Sequence, residues 1–272
     1  MVPLIAPRWV GRILQDVGAG APTPEQAGAV RAGLARFSSR DPVVSIVIPV
    51  WNERAYIART LCSLSRMMTS IPTEIIIVDN GSTDGTHEIL DSCGAATVFE
   101  VQPGIARARQ AGLLAARGRY ILSGDGDTLY PERWVDVMVA SLEEPDTAVV
   151  WGQYSYLPAT RWLRLRYALY EIGKQATYRL RNRRLPHLNA MGANAGYPRE
   201  RMLIAGGYDP SIIVGEDRRL ALALAASGKI RAVRSRAARV WTSPRRLEKE
   251  GPLLGLLRGR LKREIPRFRN YI

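Results

Sequence analysis

Cysteine and histidine are scarce in this chain of 272 residues, each occurring only twice. Cys62 and Cys93 lack metal-ligand spacing, so we expect two core thiols in a reducing compartment. No apolar run approaches the roughly 20 residues of a membrane-spanning helix. The amino-terminal residues lack the layout of a signal peptide. These absences together predict a cytoplasmic protein.

Two common phosphate-binding motifs, GxxxxGK[ST] and GxGxxG, are also missing, which argues against a P-loop or a dinucleotide-binding site. What the sequence does contain is a regular alternation. Apolar, β-branched runs lie at 43–50, 74–79, 96–101 and 119–124, and helical patterns at 53–68, 84–90 and 104–117 separate them. This alternation predicts an α/β fold with a doubly wound, mostly parallel sheet flanked by helices.

The pattern becomes less regular beyond residue 130. We expect a strand over 147–156, a long basic helix over 161–184, a glycine-rich stretch over 191–208 and a helix after Gly215. The predicted organisation is an amino-terminal extension (1–40), a core domain (41–243) and a basic amphipathic tail (244–272). Within the core, we expect two halves, 43–130 and 131–243.

Polar side chains follow three of the predicted strands. Asn52 and Glu53 follow the first strand, an Asp-rich turn at 79–84 follows the second, and Asp125-Gly126-Asp127 follows the fourth. The carboxyl ends of parallel strands meet at one sheet edge, where ligands bind. Two carboxylates at such a position suit Mg²⁺ or Mn²⁺. Substrate phosphates and water complete the coordination shell of such an ion. Glycine between them would leave room for a diphosphate.

Six segments in order carry a family resemblance: VSIVIPVWNE (44–53), IIIVDNGSTDGT (75–86), GIARARQAG (104–112), GDGDTLYP (124–131), GANAGYPRERMLIAGGYD (192–209) and GEDRRLALAL (215–224). They resemble the motifs of family-2 inverting glycosyltransferases, which have the GT-A fold. The resemblance covers about residues 43–243. It implies transfer of a sugar from a nucleoside-diphosphate sugar to an acceptor hydroxyl.

The resemblance also implies a nucleotide-sugar site. Trp51 would flank the nucleobase and Arg109 would lie on the nucleobase side. Two positions depart from the usual family pattern: Trp51 stands where tyrosine is commoner, and Gln110 where asparagine is usual. The full set of implied donor-site residues is Pro49, Val50, Trp51, Glu53, Asp79, Arg109, Asp125 and Gly126.

For the chemistry, the resemblance implies that Asp127 holds Mn²⁺ or Mg²⁺ and that Asp217 is the catalytic base, with Glu216 beside it. A bound cation would neutralise the departing diphosphate, and the base would take the proton of the acceptor hydroxyl. One base, with no second carboxylate placed as a nucleophile, predicts direct displacement with inversion. The alternative is that Glu216 and Asp217 are only charges favoured by a helix amino terminus.

The net charge of +14 is concentrated in two segments. Residues 161–187 carry eight Arg/Lys and one Glu, and residues 245–269 carry nine Arg/Lys and three Glu. Each contains an apolar stripe at helical spacing: Trp162, Leu165, Leu169, Ile172 and Ala176 in the first, and Leu253, Leu257, Leu261 and Ile265 in the second. Each stripe either packs on the body of the protein or lies at an anionic membrane surface.

The membrane alternative predicts a peripheral enzyme on the inner face of the membrane, acting in cell-envelope glycan or glycolipid assembly. Its expected partners are a UDP-sugar and a lipid-linked or glycan acceptor. Two rival functions compete. A nucleic-acid-binding protein would explain the charge, but the acidic clusters argue against bound nucleic acid. A nucleotidyltransferase would need a basic, glycine-rich loop after the first strand, and PVWNERAY (49–56) is not one.

Overall fold

A computed structural model describes residues 2–157 and 160–249 of the chain. The helices are α1 (Arg8–Asp16), α2 (Pro24–Leu34), α3 (Ile57–Ser65), α4 (Thr86–Ser92), α5 (Ile105–Ala115), α6 (Trp134–Leu142), α7 (Arg161–Arg184), α8 (Arg199–Ile204), α9 (Glu216–Leu224) and α10 (Arg245–Lys249). The strands are β1 (Val44–Val50), β2 (Thr73–Asp79), β3 (Thr97–Phe99), β4 (Tyr120–Ser123), β5 (Thr128–Leu129), β6 (Thr147–Gly152), β7 (Tyr154–Tyr156), β8 (Ala195–Pro198), β9 (Lys229–Val233) and β10 (Val240–Thr242).

The central sheet has seven strands in the order β3-β2-β1-β4-β8-β6-β9. Strand β8 runs antiparallel to both of its neighbours, and the other pairings are parallel. Every residue of β1 and β2 is buried, as expected for strands covered by helices on both faces. The predicted fold class, a doubly wound and mostly parallel sheet, is confirmed.

The predicted strand over 147–156 is wrong in one respect, because it is two strands in different sheets. Strand β6 belongs to the central sheet, and β7 belongs to a three-stranded sheet of order β5-β10-β7. Gln153 lies between them, and its carbonyl accepts hydrogen bonds from the Val240 N–H (3.1 Å) and from Asn194 Nδ2 (2.9 Å). These contacts hold the chain where it leaves one sheet and enters the other.

The first forty residues pack against the sheet and its helices. Val10 and Ile13 of α1 and Val30 and Leu34 of α2 belong to the same buried cluster as the residues of β1 and α3. Thr23 caps α2 through a reciprocal capping box with Gln26. The predicted extension is therefore continuous with the hydrophobic core.

The long basic helix is confirmed over the predicted residues 161–184, with Thr160 Oγ1 accepting from the Leu163 N–H at 3.2 Å. Within the described part of the chain, no helix combines the length and the apolar character needed to cross a bilayer. The apolar stripe predicted over 253–265 lies outside the described residues. Of the predicted tail, the structure describes 244–249, in which α10 lies.

Candidate active site

A cavity of about 680 Å³ opens at the carboxyl ends of β1, β2 and β4. Its volume is within the range of small-molecule sites. Of the predicted site residues, Pro49, Val50, Trp51, Glu53, Asp125 and Gly126 line this cavity. Asp79, Arg109, Asp127, Glu216 and Asp217 are not among the residues that line it. The structure thus divides the predicted set into a cavity wall and residues behind or beside it.

Trp51 is 64% exposed and lies in the loop after β1. The next residue, Asn52, has φ of +54° and is held by the loop after β2. Its N–H donates to Ser82 Oγ at 3.0 Å, and its Oδ1 accepts from the Thr83 N–H at 2.8 Å. Asp79 is buried, and its Oδ1 accepts from the Ser82 N–H at 3.0 Å. Asp79 therefore fixes the loop that supports Trp51.

Gly126 is required by close packing against β1. A Cβ at this position would lie 2.7 Å from Val50 Cγ1 and 3.3 Å from Glu53 Cγ. Its carbonyl accepts from Thr60 Oγ1 at 2.8 Å, and the preceding Asp125 N–H donates to the Tyr130 hydroxyl at 2.8 Å. The described contacts thus give a second reason for glycine here, besides the predicted approach of a diphosphate.

Arg109 joins three of the predicted carboxylates. It is buried on α5, and its Nη2 donates to Asp125 Oδ1 at 2.8 Å. Its Nε lies 3.4 Å from Glu216 Oε1 and 3.5 Å from Asp217 Oδ1. Burial opposes the charge of Arg109, but Asp217 and then Asp125 raise its pKa well above the usual value. Besides these carboxylates, Arg109 donates to Ser123 Oγ, and its implied role at the nucleobase stays a prediction.

Asp217, in the first turn of α9, has two carboxylate oxygens in different environments. Oδ2 accepts from the Gly192 N–H at 2.7 Å, whereas Oδ1 is buried and has no hydrogen-bond partner among the described residues. Burial raises the pKa of Asp217 to about 7; Arg109 opposes this rise, and Glu216 and Asp125 add to it. A carboxylate with one oxygen that accepts no hydrogen bond and with a pKa near neutrality has the properties of a general base.

The predicted metal ligand, Asp127, is buried beside the cavity and already has polar partners. Its Oδ1 lies 3.2 Å from Thr242 Oγ1 and 3.4 Å from Thr128 Oγ1, and its Oδ2 lies 3.1 Å from Arg245 Nε. Burial raises its pKa, and Asp125 contributes to the rise. Among the described residues, no group of three or more His, Cys, Asp or Glu side chains is placed to hold a metal ion.

One feature of the cavity wall nevertheless fits a divalent cation. Glu53 Oε2 is buried without a hydrogen-bond partner in the described ranges, and burial raises the pKa of Glu53 to about 7. Asp127 and Asp125 add to that rise, while Arg245 opposes it. These oxygens match the one or two carboxylates that Mg²⁺ or Mn²⁺ takes alongside phosphate oxygens and water. Arg245 now supplies the positive charge at this point.

Arg245 is the residue that sequence reasoning missed, since it was assigned to the basic tail. Its guanidinium pairs with both Asp127 and Glu53 and lies 4.9 Å from the Tyr56 ring centroid. Arg246 and Lys249 of the same short helix also line the cavity. The sequence pattern did not predict that Arg245 lies at the site. Strand β10, which directly precedes α10 and positions Arg245, is only three residues long and has no detectable period.

The sequence matches the family described as "Glycosyl transferase family 2" over residues 45–202, more than half of the chain. The chain belongs to glycosyl transferase family 2. The matched residues include the loops after β1, β2 and β4 and the Gly192 segment, and they end before Glu216, Asp217 and Arg245.

Solved structures with the same fold include a mannosyltransferase and a protein bound to UDP. The mannosyltransferase PcManGT from Pyrobaculum calidifontis, in complex with GDP-Man and Mn²⁺, is 21% identical with a TM-score of 0.55 and covers 81% of this chain and 66% of its own. S. aureus TarS 1–349 in complex with UDP is 16% identical with a TM-score of 0.55 and covers 74% and 60%. At these identities the likeness shows the GT-A fold alone.

Curated members of such families are similar over about two fifths of this chain. Glycosyltransferase GlyG of Streptococcus pneumoniae is 31% identical over 118 residues, which are 41% of this chain and 39% of GlyG. The dodecaprenyl-phosphate galacturonate synthase of Rhizobium johnstonii is 35% identical over 128 residues, which are 42% of this chain and 38% of the synthase. The chain spans about two fifths of the length of these relatives.

Proposed function

We propose that this chain is a metal-dependent, inverting glycosyltransferase that moves a sugar from a nucleoside-diphosphate sugar to an acceptor hydroxyl. The observation that carries the proposal is the link between cavity and base. Arg109 contacts Asp125, which lines the cavity, and also Asp217, whose Oδ1 accepts no hydrogen bond among the described residues and whose pKa of about 7 suits a general base. Family membership supports an enzyme over a nucleic-acid-binding protein or a nucleotidyltransferase.

The donor would occupy the cavity, with its base against the exposed face of Trp51. An aromatic ring at the mouth of a pocket offers a large, flat contact for a base. A relative of the same fold is solved with GDP-Man and Mn²⁺, and another with UDP, which supports a nucleotide donor and a divalent cation. A UDP-sugar remains the expected donor.

In the proposed reaction, Asp217 takes the proton of the acceptor hydroxyl while that oxygen attacks the anomeric carbon. The bond from the anomeric carbon to the diphosphate oxygen breaks on the opposite face, so the configuration inverts. Asp127 would hold the divalent cation, which when bound neutralises the charge growing on the diphosphate. Arg109 keeps Asp125, Glu216 and Asp217 in one cluster and offsets their charge.

The acceptor is proposed to be lipid-linked or a glycan, in the assembly of cell-envelope glycans or glycolipids. The similarity to a dodecaprenyl-phosphate galacturonate synthase supports a lipid-linked acceptor, although it covers only 38% of that protein. Residues 43–130 would form the nucleotide-binding half and residues 131–243 the acceptor half, as the sequence predicts.

The test is Asp217→Asn, a change that keeps the size of the side chain and its acceptor for the Gly192 N–H but removes the base. We expect the variant to bind the donor as the parent does and to transfer sugar about 10²–10⁴-fold more slowly. Calorimetry with UDP- and GDP-sugars in the presence of Mn²⁺ measures the first quantity, and product formation measures the second. Proton NMR of the product's anomeric centre reports inversion.

Two further variants serve as controls. Glu216→Gln alters the neighbouring carboxylate, and Asp209→Asn alters an exposed aspartate whose partner is Ser211. Transfer by Asp209→Asn should equal that of the parent. If Asp217→Asn also transfers sugar at the parental rate, Asp217 is only a charge at the start of α9, and the proposed base is wrong.

A further inference from the structure

The apolar stripe of α7 faces outward. Trp162, Leu165, Leu169, Ile172 and Leu180 are exposed by 79%, 41%, 61%, 51% and 55%. With Ala176, which lies between Ile172 and Leu180, they follow one another at intervals of three or four residues. They therefore cover about 27 Å along one side of the helix. The alternative that this stripe packs on the body of the protein is therefore wrong. We call this side of the helix the α7 outer face.

The opposite side of α7 is buried and polar. Arg164 Nη1 lies 2.7 Å from Glu171 Oε1, with side-chain exposures of 2% and 1%. Ser155 Oγ donates to Glu171 Oε2 at 2.9 Å, and Lys174 Nζ lies 3.2 Å from the Tyr154 ring centroid. A surface helix normally buries its apolar side and exposes its charges. In α7 the buried side holds Arg164, Glu171 and Lys174 together with the aromatic rings of Tyr167, Tyr170 and Tyr178, yet large apolar side chains remain exposed on the other side. Packing on the body of the protein does not explain these exposed side chains.

Arginines border the α7 outer face, and α7 itself places no carboxylate on that side. At about 100° per residue, Arg166 lies to one side of the stripe, Arg179 to the other and Arg183 near its carboxyl-terminal end. All three are exposed. Glu171 is the one acidic residue in the sequence of α7, and it is buried. The face therefore combines large apolar side chains with uncompensated positive charge.

We propose that the α7 outer face is the surface by which this protein docks on an anionic lipid bilayer, with the helix lying in the plane of the interface. Leucine, isoleucine and tryptophan side chains enter the boundary between head groups and acyl chains, as in other interfacial helices. The flanking arginines extend their charged ends to the anionic head groups. This docking does not depend on the proposed sugar transfer and is tested without it.

A second copy of the chain is a poorer occupant of this face. Pairing two outer faces would bring arginines against arginines, and the face offers no carboxylate to separate them. Like charges brought together across an interface oppose association. An anionic bilayer supplies the complementary charge over the whole length of the helix.

A short segment connects the end of α7 to the backbone that contacts the candidate base. Helix α7 ends at Arg184, and the Gly192 N–H, only eight residues later, donates to Asp217 Oδ2 at 2.7 Å. Asn189, within the connecting segment, donates from Nδ2 to the Tyr178 carbonyl of α7 at 3.0 Å. If the proposed function is right, a protein docked through α7 would hold its acceptor site near a lipid-linked substrate.

The experiment is co-sedimentation of the full chain with vesicles of phosphatidylglycerol or of phosphatidylcholine. We expect binding to the anionic vesicles only, weakened as salt rises. Leu169→Glu/Ile172→Glu should abolish binding. Arg166→Gln/Arg179→Gln should weaken it about 30-fold, at about fivefold for each charge removed. Quenching of Trp162 by brominated lipid, taken as the difference between the parent and Trp162→Phe, should report insertion.

Matched controls change equally exposed residues elsewhere. Val101→Glu/Leu114→Glu replaces side chains that are 87% and 63% exposed, and Arg40→Gln/Arg119→Gln replaces exposed arginines at the amino-terminal edge of the sheet. All variants should keep the parental circular dichroism and melting temperature. The controls should bind vesicles as the parent does.

Three results would overturn the proposal. The first is equal vesicle binding by the parent and Leu169→Glu/Ile172→Glu. The second is equal binding of the parent to neutral and anionic vesicles. The third is a parental dimer, seen by analytical ultracentrifugation, that the Leu169→Glu/Ile172→Glu variant converts to monomer without loss of vesicle binding; the outer face would then be a contact between copies.

Discussion

The environment of Asp217 leads to a prediction about pH. Its carboxylate is buried and faces Arg109, Glu216, Asp125 and Tyr208, and burial is the largest cause that raises its pKa to about 7. Below that pH the group is protonated and cannot accept a proton. We therefore expect kcat/KM for transfer to rise about tenfold per pH unit up to about pH 7 and to level off above it.

The measurement is a profile of kcat/KM between about pH 5.5 and 8.5, with donor affinity measured in parallel. Donor binding should change less across this range than transfer does. A rate that is flat between pH 5.5 and 7 would contradict the assignment of Asp217 as a base that works with its shifted pKa.

Asp127 carries the second residue-scale prediction. Asp127→Asn keeps an acceptor for Thr242 and Thr128 but removes the negative charge that a divalent cation needs. We expect the enhancement of nucleotide affinity by Mn²⁺ to fall by at least about tenfold, with the fold retained. Calorimetry with and without Mn²⁺ measures this enhancement, and Asp136→Asn is the control. An unchanged enhancement would show that Asp125 or Glu53 binds the cation instead.

At the scale of single elements, α10 makes the site testable. The Arg245 guanidinium forms ion pairs with both Asp127 and Glu53. Removing it by Arg245→Ala should make Mn²⁺ bind about tenfold more tightly without nucleotide, because a hydrogen bond to a charged group contributes about 1.5–3 kcal/mol. Arg246→Ala, which changes the next residue on the cavity wall, should increase Mn²⁺ affinity much less, because Arg246 acts on Asp127 through its charge and is weaker in this effect than Arg245.

Weaker Mn²⁺ binding in Arg245→Ala would contradict this prediction. It would show that the Arg245 guanidinium stays beside the carboxylates and stabilises the site of the bound cation. Manganese electron paramagnetic resonance reads the free and bound ion directly, so the result does not depend on catalytic activity.

Elements with strong periodicity were predictable, and short ones were not. Helix α7 has the predicted bounds, and β1 and β2 lie within one residue of theirs, because long apolar or amphipathic runs specify their own structure. Strands β5 and β10 have two and three residues and no period to detect. Their pairing depends on tertiary contacts, which is why the division of 147–156 between two sheets could not be foreseen.

For the molecule as a whole, the alternation of strands and helices was sufficient to predict the sheet and the edge at which the polar loops meet. It could not show which carboxylates share a counter-ion. Arg109 brings Asp125 together with Glu216 and Asp217 across segments more than ninety residues apart in sequence. Such contacts arise from the packing of α5 against the sheet, and the family resemblance, which implied a position of Arg109 on the nucleobase side, did not indicate them.

The second sheet has a consequence for synthesis of the chain. Asp127 immediately precedes β5, which pairs with β10, and its side chain contacts Thr242 and Arg245. A growing chain can pair β1, β2 and β4 once about half of it has left the ribosome, since domains fold as their residues emerge. The surroundings of Asp127 must wait for residue 245. Until then Asp127 lacks both Thr242 and its counter-ion Arg245, so the donor pocket is among the last parts to mature.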